Sequence, residues 1–208
     1  MNRSIDIRSK SFGQTEALTR VDRFGVWLSA YQIHRWIPSF ENLNLGDFGC
    51  GFHARFTQTV LQKVKSAVLI DVALSEKFKT LSNVRAIEGT LPSALLGVPT
   101  KSLNVILCMS VLEHLWDPLP TLKEFKRILV PGGVCLLNVP SWRGKWFLEF
   151  SAFRLQLSPK SEMDDHKMYY DVKDFWPLLV QSGFKPSLTR CFKHKFGMNT
   201  FAICQEDK

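Results

Sequence analysis

Leu43-Asn44-Leu45-Gly46-Asp47-Phe48-Gly49-Cys50-Gly51 is the stretch on which the fold turns. Its first half is short and half alternating, a strand signal, and it runs into two glycines one residue apart. A helical pattern is expected to follow from about Phe52 to Val64. Strand, glycine turn and helix make the opening unit of a parallel α/β sheet. Glycines at 49 and 51 leave no side chains where backbone must approach a ligand, and the helix behind them offers N–H groups unpaired in its first turn. A tight turn without a ligand would use the same residues.

Working outward, Ser66 to Asp71 reads as a buried strand with an acid at its end, Leu74 to Leu81 as a short amphipathic helix, and Asn83 to Glu88 as a further strand. Leu103 to Cys108 is again strand-like. Leu119, Leu122, Phe125, Ile128 and Leu129 then recur at helical spacing until Pro131-Gly132-Gly133, and Val134 to Val139 is a fifth strand. Upstream, Phe24, Trp27, Leu28, Tyr31, Ile33, His34 and Ile37 mark a helix after a possible Asp22 cap, closed by Pro38. Downstream, Asp171 to Ser182 is a helix ending at Gly183, and Pro186 to Cys191 with Asn199 to Cys204 form a hairpin at the sheet edge. Strands alternating with helices predict the α/β class, with a parallel sheet and right-handed crossovers. The expected organisation is a helical N-terminal segment at 1–40, then one domain at 41–208 carrying an insertion at about 141–170.

The 208 residues are 45% hydrophobic and 22% charged, enough for one well-filled core. No apolar run approaches the ~18–20 residues of a membrane-spanning helix. No apolar segment follows the charged start Met1 to Lys10, so no secretory signal is read and a cytoplasmic location is expected. The net charge of +8 raises a nucleic-acid partner, yet the excess is diffuse and forms no stripe. Arg190, Lys193, His194 and Lys195 are expected at a solvated hairpin tip. Five cysteines without a C-x-x-C pair read as reduced core residues. Cys50 and His53 have a metal-ligand spacing but lack two further ligands nearby, so no metal is expected.

Gly49-x-Gly51-x-x-Ala54 also satisfies the dinucleotide fingerprint, and Asp71 lies 22 residues after Gly49, where an acid can accept from two ribose hydroxyls. A nicotinamide oxidoreductase and a nucleoside-binding transferase share that acid. Asp47 separates them, because an acid at the end of the first strand repels a pyrophosphate and attracts an ammonium or sulfonium. At this point the chain resembles the class I S-adenosylmethionine-dependent methyltransferases. The likeness rests on Asp47 to Gly51, on Ser110-Val-Leu-Glu113-His114-Leu115 with Asp117-Pro118, and on Leu122-x-Glu124-x-x-Arg127-Ile-Leu-x-Pro131-Gly-Gly133. Four motifs stand in register from about residue 43 to 140. Within that class the chain looks most like the type 11 and type 12 methyltransferases of small-molecule and polysaccharide pathways.

The resemblance implies a Rossmann-like seven-stranded sheet in the order 3-2-1-4-5-7-6, its last strand antiparallel, with helices on both faces and a small helical lid. It implies S-adenosylmethionine as cofactor and S-adenosylhomocysteine as product. Asp47, Gly49, Cys50 and Gly51 would surround the methionine half, Asp71 the ribose, Thr90 and Leu91 the adenine, and Met109 and Ser110 the methyl group. Three positions depart from the family pattern: Gly46 for an aliphatic residue, Thr90 for an acid, and Asn104 for an aspartate.

Methyl transfer is an in-line displacement, and it needs a base only where the acceptor must lose a proton. His166, with Asp165 to orient it, is the preferred base over His114. Trp142, Trp146, Phe147, Phe150, Tyr169 and Tyr170 would build the acceptor cover, with Arg143, Lys145 and Lys167 beside an acidic acceptor. The acceptor is read as a small molecule, sugar or lipid-linked glycan and the atom as oxygen, ahead of nitrogen or carbon. Nucleic acid is disfavoured, since Cys108-Met-Ser-Val111 replaces the Asn/Asp-Pro-Pro-aromatic loop of amino-methylating enzymes on DNA. A monomer or homodimer is expected. A catalytically silent S-adenosylmethionine-binding protein and a nicotinamide oxidoreductase stay open as alternatives.

Overall fold

Five strands run parallel in a computed structural model that describes residues 10–14, 19–146 and 166–208. They are β1 (Asn44–Phe48), β2 (Ser66–Asp71), β3 (Val84–Glu88), β4 (Leu103–Met109) and β5 (Leu129–Pro140). β6 (Thr189–His194) and β7 (Asn199–Gln205) complete the sheet, with β7 antiparallel to both β5 and β6. The order is β3-β2-β1-β4-β5-β7-β6, the Rossmann-like methyltransferase arrangement expected above.

Successive strand residues point to opposite faces, and each face carries its own core. Phe48, Ile70, Ile106, Cys108, Leu137 and Cys204 pack against helix α3 (Leu119–Ile128) and helix α4 (Val172–Gln181) on one side. Leu45, Ala67, Val105, Leu107, Leu136 and Phe201 pack on the other against Ile33 of helix α1 (Arg20–Trp36) and Val60 of helix α2 (Arg55–Val60). The chain leaves β1 for β2 on one flank and returns to β4 on the other. The switch point of the sheet, beyond whose strand ends such folds hold ligands, therefore lies at the carboxyl ends of β1 and β4.

Local differences from the sequence reading have physical causes. Thr19, not Asp22, caps α1: the Asp22 N–H donates to Thr19 Oγ1 at 3.1 Å, and the Asp22 carboxylate accepts from the Thr19 N–H at 2.9 Å. α2 is shorter than its apolar pattern because Ala54 adopts a left-handed conformation, with φ 40°, at the helix start. Leu74 to Leu81 yields only a 3-10 turn at Glu76–Phe78, since Leu74 and Phe78 alone fill the small space over Ala54 and Leu69. β5 begins at Leu129 and absorbs Pro131-Gly132-Gly133 through a register shift against β4 between Leu103 and Val105. Pro186–Leu188 forms a 3-10 turn, so β6 starts only at Thr189. Gly46 has a packing reason: a Cβ there would lie 2.7 Å from Leu103 Cδ1 and 2.8 Å from Phe48 Cζ, which occupy the space an aliphatic side chain would need. The expected helical lid, with Phe147 and Phe150, lies outside the described residues.

Candidate functional site: a glycine turn, two acids and a carboxylate–imidazole cluster

The glycine turn is built for close approach. Gly49 and Gly51 both have φ +73°, and a Cβ on Gly49 would stand 2.1 Å from Val111 Cγ2. The Gly49 N–H donates to the Ile70 carbonyl at 2.7 Å, which ties the turn to β2. Asp71 closes it from the other side: its Oδ2 accepts from the Gly51 N–H at 2.8 Å and its Oδ1 from the Val72 N–H at 2.8 Å. A carboxylate has about four acceptor positions, so roughly half remain for a vicinal diol. From outside, the Phe12 carbonyl accepts from the Phe52 N–H at 3.0 Å, so the described N-terminal stretch rests on this same turn.

Asp47, near the end of β1, is buried at 6% exposure and accepts from the Thr57 hydroxyl at 2.6 Å. Burial raises its pKa to about 7 against the lowering effect of the Thr57 bond, and the Asp71 charge raises it further. Burial also pushes the Cys50 thiol far up, helped by both acids, and Cys50 remains a thiol, a poor metal ligand. Thr90 is exposed and its carbonyl accepts from the Ala94 N–H at 2.9 Å, while Leu91 packs on the edge of the α3-side core. The acid nearest to Thr90, Glu88, accepts from the Leu74 N–H at 2.9 Å and pairs with Lys79 at 3.3 Å.

The β4 end forms the opposite lip. Ser110 has φ +58°, its N–H donates to the Asn138 carbonyl at 2.8 Å, and its Oγ accepts from Asn138 Nδ2 at 3.2 Å. Glu113 is buried, 1% exposed, in the 3-10 turn Leu112–His114. Its carbonyl accepts from the backbone N–H groups of Lys167 and Met168 at 2.7 and 3.2 Å, which lays the 166–168 segment alongside it. The His114 and His166 rings consequently pack at 4.9 Å between centroids, and Tyr169 Oη stands 3.1 Å from His166 Nδ1. Side-chain ligand atoms of Glu113, His114 and His166 all lie within 4.8 Å of one another. The two histidines weighed as rival bases are thus neighbours; Asp165 lies outside the described residues.

The hairpin-tip expectation fails for two residues. His194 is 8% exposed, and burial with the Lys195 charge lowers its pKa to about 4. Lys195 turns inward beside Gly25 of α1, its Nζ 3.7 Å from where a Gly25 Cβ would stand; burial lowers its pKa to about 8 against the opposing Glu113 charge. Sequence reading missed Lys195 because a basic hairpin residue has no pattern that reports inward aim. The φ +49° at Lys195 and +59° at Phe196 produce that turn.

A sheet of this order, with a doubly left-handed glycine turn and acids closing β1 and β2, defines the class I S-adenosylmethionine-dependent methyltransferase fold. The methyltransferase domain family matches residues 25–187, and the chain belongs to it. The chain is 28% identical over 109 residues to the ubiquinone biosynthesis O-methyltransferase of Parvibaculum lavamentivorans, a match covering 50% of this chain and 42% of that protein. It is 22% identical over 165 residues to a probable S-adenosylmethionine-dependent methyltransferase of Mycobacterium tuberculosis, covering 76% of this chain and 55% of that one. The chain thus spans about half the length of the curated relatives it matches. Among solved structures, an S-adenosylmethionine-dependent methyltransferase from Archaeoglobus fulgidus aligns with a TM-score of 0.62 at 14% identity, covering 86% of this chain and 94% of that one. Family and fold imply S-adenosylmethionine as cofactor. The residues present fit it: Asp71 keeps spare acceptor capacity for a vicinal diol, and the buried acid Asp47 suits a cationic group.

Proposed function

We infer that this chain moves a methyl group from S-adenosylmethionine to an oxygen of a small molecule, sugar or lipid-linked glycan. The observation that carries the reading is that the glycine turn, closed by the acid of β2, packs at Gly49 against Val111, two residues before the buried Glu113 that lies with two imidazoles after β4. The bound sulfonium supplies an electrophilic methyl, so this chain's own residues have to orient donor and acceptor and manage the acceptor's proton. Asp47 and Asp71 hold the cationic and ribose ends, with Gly49, Cys50 and Gly51 between them, Thr90 and Leu91 at the adenine end, and Met109 and Ser110 facing the methyl. His114 and His166, side by side after β4, serve the hydroxyl of the acceptor, which must lose its proton.

Oxygen is favoured because an imidazole-bearing lip suits a hydroxyl that must lose a proton, and one of the relatives is by its name an O-methyltransferase. The same reading places the protein in the cytoplasm as a monomer or homodimer in a small-molecule or polysaccharide pathway. No described helix is long and apolar enough to cross a membrane.

Radiolabelled methyl donor is to be incubated with the protein and fractionated hydroxyl-bearing metabolites and glycans, with S-adenosylhomocysteine and NAD binding measured by calorimetry alongside. Label in an alkali-stable ether, with S-adenosylhomocysteine bound and NAD not, is the expected result. Adenosyl binding without transfer to any fraction would make it a silent binding protein, and NAD binding alone would overturn the reading altogether.

A further inference from the structure

We propose that Glu113, His114 and His166 hold a divalent cation, Zn²⁺ in the first place, which binds the hydroxyl of the methyl acceptor. The proposal deepens the methyl-transfer reading and, for its chemical purpose, rests on it. It also replaces the expectation of no metal, which considered only the Cys50–His53 spacing. The three ligand groups come from two segments far apart in sequence, and one fold contact unites them: the Lys167 and Met168 N–H groups on the Glu113 carbonyl.

The donor set is the first argument. Two imidazoles and one carboxylate are the complement of catalytic zinc sites that leave one coordination position for water or substrate, and a similar triad suits other first-row divalent ions. Their ligand atoms already lie within 4.8 Å of one another. Tetrahedral ligands at about 2.0–2.2 Å from an ion stand roughly 3.4 Å apart, so modest side-chain rotations suffice. A harder cation such as Mg²⁺ prefers an oxygen-rich shell and fits two imidazoles poorly.

The outer contacts are the second argument. Metal-bound histidines ordinarily donate their other ring N–H to a fixed acceptor, which selects the tautomer. Tyr169 Oη stands 3.1 Å from His166 Nδ1, so that tautomer leaves Nε2 as the ligand nitrogen. Tyr169 is itself buried, and the next residue is held at both backbone groups: the Tyr170 N–H donates to the Pro140 carbonyl at 2.9 Å and its carbonyl accepts from Thr200 Oγ1 at 2.7 Å. The bearing for the imidazole is therefore rigid. Glu113, at 1% exposure, is a buried carboxylate of the sort that is either ion-paired or ligates a metal.

The reaction balances without a redox partner. The acceptor O–H binds the cation and gives its proton to water, the oxygen lone pair forms the new C–O bond, and the S–CH₃ bond breaks with its electron pair left on sulfur. Products are the methyl ether, S-adenosylhomocysteine and one released proton. In this scheme His114 and His166 act as ligands, and the cation replaces a free base by acidifying the hydroxyl.

The test is binding, read apart from turnover. Chelator-stripped protein is titrated with Co²⁺, followed by its visible absorption, and with Zn²⁺ in competition; S-adenosylhomocysteine binding is measured on the same samples. One Co²⁺ per chain is expected, displaced by Zn²⁺, with affinity falling at least about 100-fold in His166→Ala and in Glu113→Gln. Tyr169→Phe should weaken it by roughly 10-fold or more, since outer contacts are worth about 10–100-fold. X-ray absorption on the zinc-loaded wild type must count two imidazole nitrogens, a readout that holds even where a variant fails to fold. Folded wild type that takes up no metal, or that keeps its affinity in His166→Ala, overturns the site while leaving the methyl-transfer reading intact. Loss of S-adenosylhomocysteine binding by the wild type would instead sink that reading, whatever the metal does.

Discussion

The backbone N–H of Gly51 donates to the carboxylate of Asp71 across 2.8 Å, so the acid proposed for the ribose also locks the glycine turn proposed for the methionine half. One side chain thereby ties the end of β2 to the turn after β1. Asp71→Ala removes both the ribose acceptor and the lock, and S-adenosylhomocysteine binding should weaken by about 1.5–3 kcal/mol, the range for hydrogen bonds to charged groups. Asp71→Asn should fall between. Calorimetric affinities within error of wild type would remove Asp71 from the site.

Asp47 makes cofactor affinity depend on pH. Its pKa of about 7 in the free protein lies above the ordinary carboxylate value because the group is buried, so a fraction is protonated near neutrality. A cationic ligand favours the ionised form and lowers that pKa. Binding of S-adenosylmethionine therefore releases protons below pH about 7, and affinity rises as pH climbs through this value before levelling off. Asp47→Asn should flatten the curve, and a wild-type curve with the opposite slope would contradict the assignment.

Gly49→Ala tests the steric argument for the turn. The new Cβ would meet Val111 Cγ2 at 2.1 Å on a backbone of φ +73°. Left-handed strain of roughly 1–2 kcal/mol is expected, with overpacking of about 1–3 kcal/mol on top of it. Val111→Ala in the same chain should recover the overpacking share only. Denaturant unfolding of the single and double variants gives both shares.

Lys195 gives a stability signature on the alkaline side. Its folded-state pKa of about 8 lies below the 10.5 of an exposed lysine, so between these values the unfolded chain binds more protons and stability rises with pH. Lys195→Met should lose that increment relative to wild type and be more stable than wild type at pH 8. Unfolding free energies compared at pH 8 and pH 10 check the sign. Equal slopes for both proteins would place the ammonium in solvent.

Much of the glycine turn and its two acids was readable from local pattern because the parts are consecutive: Asp47 to Gly51 is one strand end and its turn, and Asp71 closes the next strand. Local order misled where tertiary contacts decided. Leu74 and Phe78 looked like one face of a helix, yet two buried anchors were all that the space above Leu69 required. Pro131-Gly132-Gly133 looked like a stop, but the register shift in β4 lets β5 take it in. The acceptor lip was the hardest to foresee. His114 and His166 were each visible as candidates, but only the backbone pairing of residues 167 and 168 with Glu113 sets them side by side. Nothing in a linear chain announces that Lys195 reaches inward from a basic hairpin.

The described residues that flank 147–165 are held on both sides. The Ser141 N–H bonds the Met198 carbonyl at 2.9 Å and Ser141 Oγ the Gly197 carbonyl at 2.7 Å on one side; Lys167, Met168 and Tyr170 are tied to Glu113 and Pro140 on the other. Such an arrangement works as a socket. Ser141 on one side and residues 167–170 on the other thus offer two fixed splice points, where a relative's stretch can be joined without disturbing the sheet, in evolution and at the bench alike.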